Sequence, residues 1–347
     1  MNKVMSATGS VIIATALSVS APVQAQTSVA DFYSGKTVNL IIGFGAGGGY
    51  DTYGRVLAQH IGKHIPGNPT VVPQNMPGAG SIVASNFLYN TAPKDGTTMG
   101  MVAASALMQP LFGSSQVKFD SSKFGWLGSM DQSIAFCGVT VASGVESFQD
   151  WLKSGKQLAF GASGPAANTF QHPMALRNVL DVNAKVVPGY KGTADVAVAM
   201  ENGEMDGLCG MQVTSIRSSF QSLIDRGVMR LIIQMGPERT SEFGALPSVY
   251  DFVENEDEKR VMDLVFGQLK LARPVAVPPG IPSERLKALQ NAFLATLQDP
   301  EFLAAAEQAG MEINLVKAND VQALLVDFAS FSPRVIELAG KAVAPDK

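Results

Sequence analysis

From residue 38 onward, short apolar runs bounded by glycine and polar clusters alternate with longer stretches in which apolar residues recur every three to four positions. Runs of the first kind read as buried strands and stretches of the second as amphipathic helices. Their alternation is the mark of α/β layers. Residues 38–44 predict a strand, 45–49 a glycine loop, and a helix then runs to about residue 65 with Asp51 as its cap. Its spine of Tyr53, Leu57, Ile61 and Ile65 repeats every four residues and so occupies one face. Pro66 and Gly67 stop it. Further strands are expected at 70–73, 97–102, 126–130 and 134–141, with a turn at 77–80 leading into a helix to about 89.

A second series follows. Ser147 and Asp150 resemble a capping box, with Asp in place of the usual Glu, and open a short helix to 153. A strand at 157–161, a loop at 162–167 and a helix to about 180 make one βα unit. A strand at 185–188, a loop at 189–192 and a helix to 202 make the next. A strand at 205–208, a helix over 213–225 and a strand at 230–234 complete this half. After the acidic stretch 254–258, residues 266–271 predict a strand that returns to the first half. The tail is helical, with Ser283 capping one helix, Asp299-Pro300 opening another, and a last helix over about 320–338. No flexible linker separates the two halves, so extended strands should join them. The stretches 134–141 and 266–271 are the candidate crossovers.

The first 25 residues read as an export signal. They comprise a weakly basic start at Lys3, an apolar stretch at 11–19, and small residues at Val23-Gln24-Ala25. Cleavage after Ala25 would leave 322 residues beginning at Gln26. Nothing downstream reaches roughly 18 uninterrupted apolar residues, so a soluble periplasmic protein is expected. Charged residues are only 16% of the chain and the formal charge is −4. Without a Lys/Arg block this balance argues against nucleic acid and anionic membrane surfaces. An anionic ligand would have to be held by local dipoles and backbone groups. The cysteines, Cys137 and Cys209, would meet an oxidising compartment, where a pair tends to form a disulfide. Two buried thiols that never meet are the alternative.

Residues 43–48 formally fit G-x-G-x-x-G between a strand and a helix, but no acid occurs between Asp51 and Asp95 to hold a ribose. Gly35-Lys36-Thr37 lacks the leading glycine and preceding strand of a phosphate-binding loop. The glycines nevertheless let backbone amides crowd around one point, and the following helix turns its positive end toward it. That suits one carboxylate or phosphate. Asp51 reads either as the helix cap or as a ligand contact; as a cap, it leaves the amides of Gly47, Gly48, Gly49 and Tyr50 free. The loop 163–168 offers Ser163, Gly164 and Asn168 at a second strand end, and Tyr190 and Lys191 stand at a third. Such loops are where open α/β sheets bind ligands. Catalysis is poorly supplied. His60 and His64 lie one helical turn apart without the Glu of a zinc motif. Gly161-Ala162-Ser163-Gly164-Pro165 misses the nucleophile elbow, which leaves Ser163 and His172 a weak hydrolase pair. No cofactor and no metal are expected.

Several ordered motifs resemble the Bug-type receptors, the substrate-binding proteins of tripartite tricarboxylate transporters. They are residues 47–51 followed by a helix with Arg55, then Asn75-Met76-Pro77-Gly78-Ala79-Gly80, then Ala92-Pro93-Lys94-Asp95-Gly96-Thr97. Residues 161–168, 188–192, 203–206 and 236–239 continue the match in order. The resemblance implies an α/β, two-lobed type II periplasmic binding protein fold that closes by a hinge over one ligand. It implies lobe 1 at 26–138, lobe 2 at 139–266, and a return to lobe 1 with C-terminal helices at 267–347. It implies a site with Ala46, Gly47, Gly48, Gly49, Tyr50 and Asp51 on one side and Ser163, Gly164, Asn168 and Tyr190 on the other, with Ser105 beyond the third strand. The expected partners are a small di-, tri- or aromatic carboxylate and the transporter's membrane subunits, and the expected state is a monomer. This sequence has Tyr50 where a small hydroxyl residue often precedes the Asp, which leaves room for a larger or aromatic carboxylate. A periplasmic sensor would use the same closure with a signalling partner, whereas an enzyme would have to turn the carboxylate over.

Overall fold

The computed structural model describes residues 28–345, besides Met1. The expected export signal and its cleavage point lie outside the described residues. The first sheet takes its strands from both ends of the chain: β1 Thr37–Ile42, β2 Thr70–Asn75, β3 Thr98–Met101, β4 Gly125–Ser129, then β10 Pro274–Val277 and β11 Val316–Lys317, in the order β11-β4-β10-β3-β1-β2. The second sheet is built from β5 Ala135–Thr140, β6 Leu158–Ala162, β7 Ala184–Pro188, β8 Gly207–Gln212 and β9 Met229–Met235, in the order β7-β6-β8-β5-β9. In the first sheet β1 is parallel to β2 and β3, and in the second β6 is parallel to β7 and β8. Parallel pairing brings the carboxyl ends of these strands to one edge of each sheet. Ile42, Asn75 and Met101 are in register on that edge of the first sheet.

The spine of the first long helix, Gly49–Ile61, is buried against the first sheet. Tyr53, Leu57 and Ile61 share an apolar cluster with Leu40, Met99, Leu289 and Phe293. The helix ends at Ile61 and a 3-10 turn, Gly62–His64, follows, so Ile65 is buried just beyond the helical run. Its N-cap is Gly48, which makes no side-chain cap; Asp51 instead reaches back from the first turn to accept from the Gly47 amide at 2.9 Å. Ser147 caps Phe148–Ser154 as its motif predicts, accepting from the Asp150 amide. A larger apolar cluster includes Ile41 and Trp126 of the first sheet with Cys137 and Phe160 of the second, so the two sheets share a continuous core. Cys137 on β5 pairs across the strands with Cys209 on β8, and the two form a disulfide spanning 72 residues of sequence.

Several expectations are corrected. Ser283 is the first residue of its helix and caps nothing, and the expected last helix over 320–338 is two, Ala318–Ala329 and Pro333–Val343, broken before Pro333. Residues 266–271 are not a strand. They finish the helix Glu256–Gly267 and its 3-10 continuation, Gln268–Leu271. Asn255 caps that helix, and Glu256, Asp257 and Glu258 sit in its first turn, where the positive helix end favours acids. The apolar run that looked like a strand is the buried end of its inner face. The strand that returns to the first sheet is β10, antiparallel between β3 and β4. Residues 134–141 do hold a strand, but β5 is interior to the second sheet, antiparallel to both β8 and β9. Neither stretch is therefore a crossover strand. The chain passes between the sheets in the segments linking β4 to β5 and β9 to β10. The last helix, Pro333–Val343, lies against Asn168–Leu180 of the second half, and Asn178 donates to the Ala342 carbonyl at 2.9 Å.

Candidate ligand-binding cleft

Loops from the carboxyl ends of both sheets meet and enclose a cleft of about 470 Å³, open solvent included. The first wall comes from the loop after β1 (Phe44, Gly45, Gly48, Gly49, Tyr50) and the loop after β3 (Ala103, Ser105). The second comes from the loops after β6 (Ser163, Ala167, Asn168, Thr169), β7 (Gly192, Thr193) and β8 (Gln212, Ser215), together with Gly210 of β8 itself. The walls touch. The Gly45 amide donates to the Lys191 carbonyl at 2.8 Å, and the Ser219 hydroxyl donates to the Gly47 carbonyl at 3.2 Å. Gly164 has φ +154°, and a Cβ there would lie 2.6 Å from the Gly80 amide nitrogen. Only glycine lets these two loops approach so closely.

The glycine loop is held from its outer side by Asp51. This 4%-exposed carboxylate accepts from the Gly47 amide, from Arg55 Nε at 2.8 Å and from Asn75 Nδ2 at 2.8 Å. Burial opposes its charge, but these hydrogen bonds hold the carboxyl below its ordinary range. Asn75 also donates to the Phe44 carbonyl, tying the loop to the end of β2. The loop is thus shaped by its own groups, and Gly48 and Gly49 enter the cleft at the positive end of the helix Gly49–Ile61.

Inside the cleft the polar groups are not matched to one another. Ser105 Oγ, Asn168 Oδ1, Thr193 Oγ1 and Gln212 Nε2 are buried and have no hydrogen-bond partner among the described residues. Directly behind the wall lies Arg273, 0% exposed, with its Nε and Nη2 also without a hydrogen-bond partner among the described residues. Its Nη1 donates to Gln212 Oε1 and to the Ala272 carbonyl, and its guanidinium lies 4.4 Å and 4.8 Å from the ring centres of Tyr50 and Tyr53. Asp131, 2% exposed, accepts from Tyr53 at 3.2 Å and Asn314 at 3.0 Å. Burial pushes its carboxyl up to about 7, against the pull of Arg273. Buried polar groups are nearly always paired, so a cluster of unpaired ones lining a cleft marks a place prepared for something else.

Of the residues expected from sequence, Gly48, Gly49, Tyr50, Ser105, Ser163 and Asn168 line this cleft. Ala46 and Gly47 lie on the exposed outer side of the loop, and Asp51 is occupied in bracing it. Gly164 backs onto Ala79 and Gly80, and Tyr190 is half-buried beside Gly161. His64 meets Asp299 at 2.8 Å and His60 stands edge-on to Phe302. His172 is fully buried against Phe266. Burial pushes it down to about 3, and neither ring nitrogen has a partner, so it is not paired with Ser163. Sequence reading missed Thr193, Gln212, Ser215 and Arg273. Extending β8 to its true end at Gln212 would have nominated Gln212 and Ser215, because ligand loops follow strand ends.

Comparison with known proteins agrees with this architecture. The sequence profile of the tripartite tricarboxylate transporter family receptor matches residues 54–340. A protein of the gbd 5′ region of Cupriavidus necator is 24% identical over 335 residues, covering 93% of this chain and 92% of that one. The periplasmic binding protein BugD superposes with a TM-score of 0.72 at 21% identity, covering 89% of this chain and 98% of the other. MatC of Rhodopseudomonas palustris, solved with malate, superposes with a TM-score of 0.69 at 16% identity, covering 87% and 99%. A second R. palustris protein, solved with adipate, gives 0.68 at 18% identity, covering 88% and 97%. The fold is accordingly the two-lobed α/β fold of periplasmic binding proteins.

Proposed function

Because the chain belongs to the receptor family of the tripartite tricarboxylate transporters, and so is a substrate-binding receptor and not an enzyme, we propose that its cleft closes over one small carboxylate. The observation that carries this is the set of buried, unpartnered polar groups contributed by loops of both sheets to a single cleft. In this reading Gly48, Gly49 and Tyr50 present amides at a helix N-terminus to one carboxylate group. Ser105 completes that wall, and Ser163, Asn168 and Thr193 receive the rest of the solute from the other side. Malate and adipate, bound by the two R. palustris proteins, support the ligand class.

The lobes in this reading divide near 138/139 and 266/267, with the final helix resting on the second lobe. Ligand favours the closed form because only that form contacts it from both walls, and the closed form docks, as a monomer, on the transporter's membrane subunits. Export by a signal cleaved after Ala25 fits the periplasmic location of the family. The test is a thermal-shift screen of mature protein against malate, succinate, adipate, citrate and benzoate, with the corresponding amides as controls. A ligand at about 100 times its dissociation constant adds roughly 2.7 kcal/mol, a visible rise in melting temperature. Stabilisation by carboxylates with recovery of unchanged ligand supports the reading. A response to the amides alone, or to none of the carboxylates, overturns it.

A further inference from the structure

We propose that Arg273 reads the charge of the solute, its guanidinium pairing with a carboxylate group of the ligand beside Gly49 and Ser215. This rests on the carboxylate-receptor reading and adds the side chain that sets the ligand's charge.

The first argument is the state of the guanidinium. A cation withdrawn from water loses its hydration, which proteins recover with a close carboxylate and a full set of hydrogen bonds. Arg273 is 0% exposed, yet among the described residues no ion pair includes it. Both hydrogen bonds of its guanidinium leave from Nη1, and among the described residues Nε and Nη2 have none. The rings of Tyr50 and Tyr53 offset part of the cost by cation–π attraction and fix the guanidinium against them. They cannot satisfy the N–H groups along the free edge.

The second argument is where that edge lies. A Cβ built on Gly49 would stand 3.0 Å from Arg273 Nη2 and 2.6 Å from Ser215 Oγ. Gly49 opens the helix Gly49–Ile61, and both Gly49 and Ser215 line the cleft. An unpartnered guanidinium edge, a hydroxyl and the positive end of a 13-residue helix thus converge on one place. Two positive features brought together repel unless an anion lies between them. A carboxylate matches both, because its two oxygens can accept from the planar guanidinium fork and from helix amides. The nearby acid does not do this job: Asp131 is engaged by Tyr53 and Asn314, and burial keeps it largely protonated up to about pH 7. A single buried cation also explains how an acidic chain without a basic surface field selects an anion.

The competing role is a strut, since Arg273 also ties Gln212 of β8 to the start of β10. The two roles separate experimentally. Take the carboxylate that most stabilises wild-type protein in the screen above and measure its affinity, and that of its amide, for wild type, Arg273→Lys and Arg273→Gln. A charge-reading residue predicts a loss on the order of 100-fold in Arg273→Gln, with carboxylate and amide then bound alike, and partial recovery in Arg273→Lys. Unchanged carboxylate affinity in a folded Arg273→Gln overturns this inference and leaves the receptor reading intact. Failure of every carboxylate on wild type instead overturns the receptor reading. Should the variants not fold, the crystal structure of wild type with the same carboxylate decides. An oxygen of the ligand within about 3.2 Å of Nε or Nη2 supports the pairing, and a water there with the ligand elsewhere refutes it.

Discussion

The two walls of the cleft differ in kind. The first-sheet wall is electrostatic: helix amides at Gly48 and Gly49 stand with Arg273 behind them. The second-sheet wall is neutral in its side chains, the hydroxyls and side-chain amides of Ser163, Asn168, Thr193, Gln212 and Ser215, although the helices Asn168–Leu180 and Thr193–Glu201 also start there. Helix dipoles and a buried cation recognise any anion of suitable reach, whereas a pattern of neutral donors and acceptors recognises the remainder of one molecule. In the proposed reading the buried cation of the first wall selects a carboxylate, and the polar side chains of the second distinguish one carboxylate from another. Their mechanical support differs as well. The first wall is braced by the Asp51–Arg55–Asn75 network, and the second sheet is stapled by Cys137–Cys209.

The largest expected effect is on that staple. Closing a 72-residue separation removes chain entropy worth about 4 kcal/mol, so Cys137→Ala with Cys209→Ala should lower unfolding stability by about that amount in a urea titration. Ligand affinity measured well below the melting temperature should hold, because neither sulfur lines the cleft. A large loss of affinity would show that the staple also shapes the second wall. On the opposite wall, Asp51→Ala should cost about 2 kcal/mol, since it leaves the Gly47 amide and Arg55 Nε without their acceptor and leaves Asn75 only the Phe44 carbonyl. Here affinity should fall together with stability, because in the proposed reading the braced loop is the binding element. The folded-state pKa of Asp51 is depressed, so its contribution is complete above the unfolded value near 4 and is lost as pH falls through the folded one. A stability profile of Asp51→Ala that tracks wild type down to pH 3 would contradict the bracing role.

The contrast between the walls also explains what could be read from sequence. The strand-loop-helix order, the spine of Gly49–Ile61, the glycine loop and the loop 163–168 are local patterns, and periodicity and turn chemistry reveal them. The apolar run 266–271 was misread because a short run has no period of its own and only the acids at 256–258 mark it as the end of a helix. Asp51 was legible as a helix-start residue, but not as the centre of a network, because Asn75 comes from another strand. Arg273 was invisible for a stronger reason. Its significance lies in being buried without a partner, which depends on Tyr50, Tyr53 and Gln212 arriving from distant parts of the chain. Thr193, Gln212 and Ser215, the polar cleft residues missed, all belong to the second wall, and Arg273 lies behind the cleft lining.

A smaller effect tests the selectivity assigned to that wall. Asn168 offers an unpartnered Oδ1 to the cleft. Asn168→Ala should weaken the preferred carboxylate by about tenfold, the worth of one hydrogen bond and its desolvation, and should reorder the ligand series while keeping the preference for carboxylate over amide. A uniform loss across all carboxylates would instead place Asn168 with the electrostatic wall and collapse the distinction.

The smallest expected effect concerns Asp131, the acid nearest the proposed charge reader, which faces Arg273, Tyr53, Asn314 and the more distant Glu312. Its folded-state pKa is raised to about 7 from an ordinary value of 3.8. Between those values the folded protein holds a proton that the unfolded chain releases, so stability due to this group is complete below about pH 4 and declines as pH rises toward 7. Ionisation above that point places a negative charge beside Arg273 and competes with the ligand for it. Carboxylate affinity should therefore weaken several-fold from pH 6 to pH 8, and Asp131→Asn, which cannot ionise, should flatten that slope in binding titrations. If the slope persists in Asp131→Asn but vanishes in Arg273→Gln, the charge reader answers to another acid. If both variants keep it, the pH dependence belongs to the ligand or to the neutral wall, and the first wall recognises its anion through the helix amides alone.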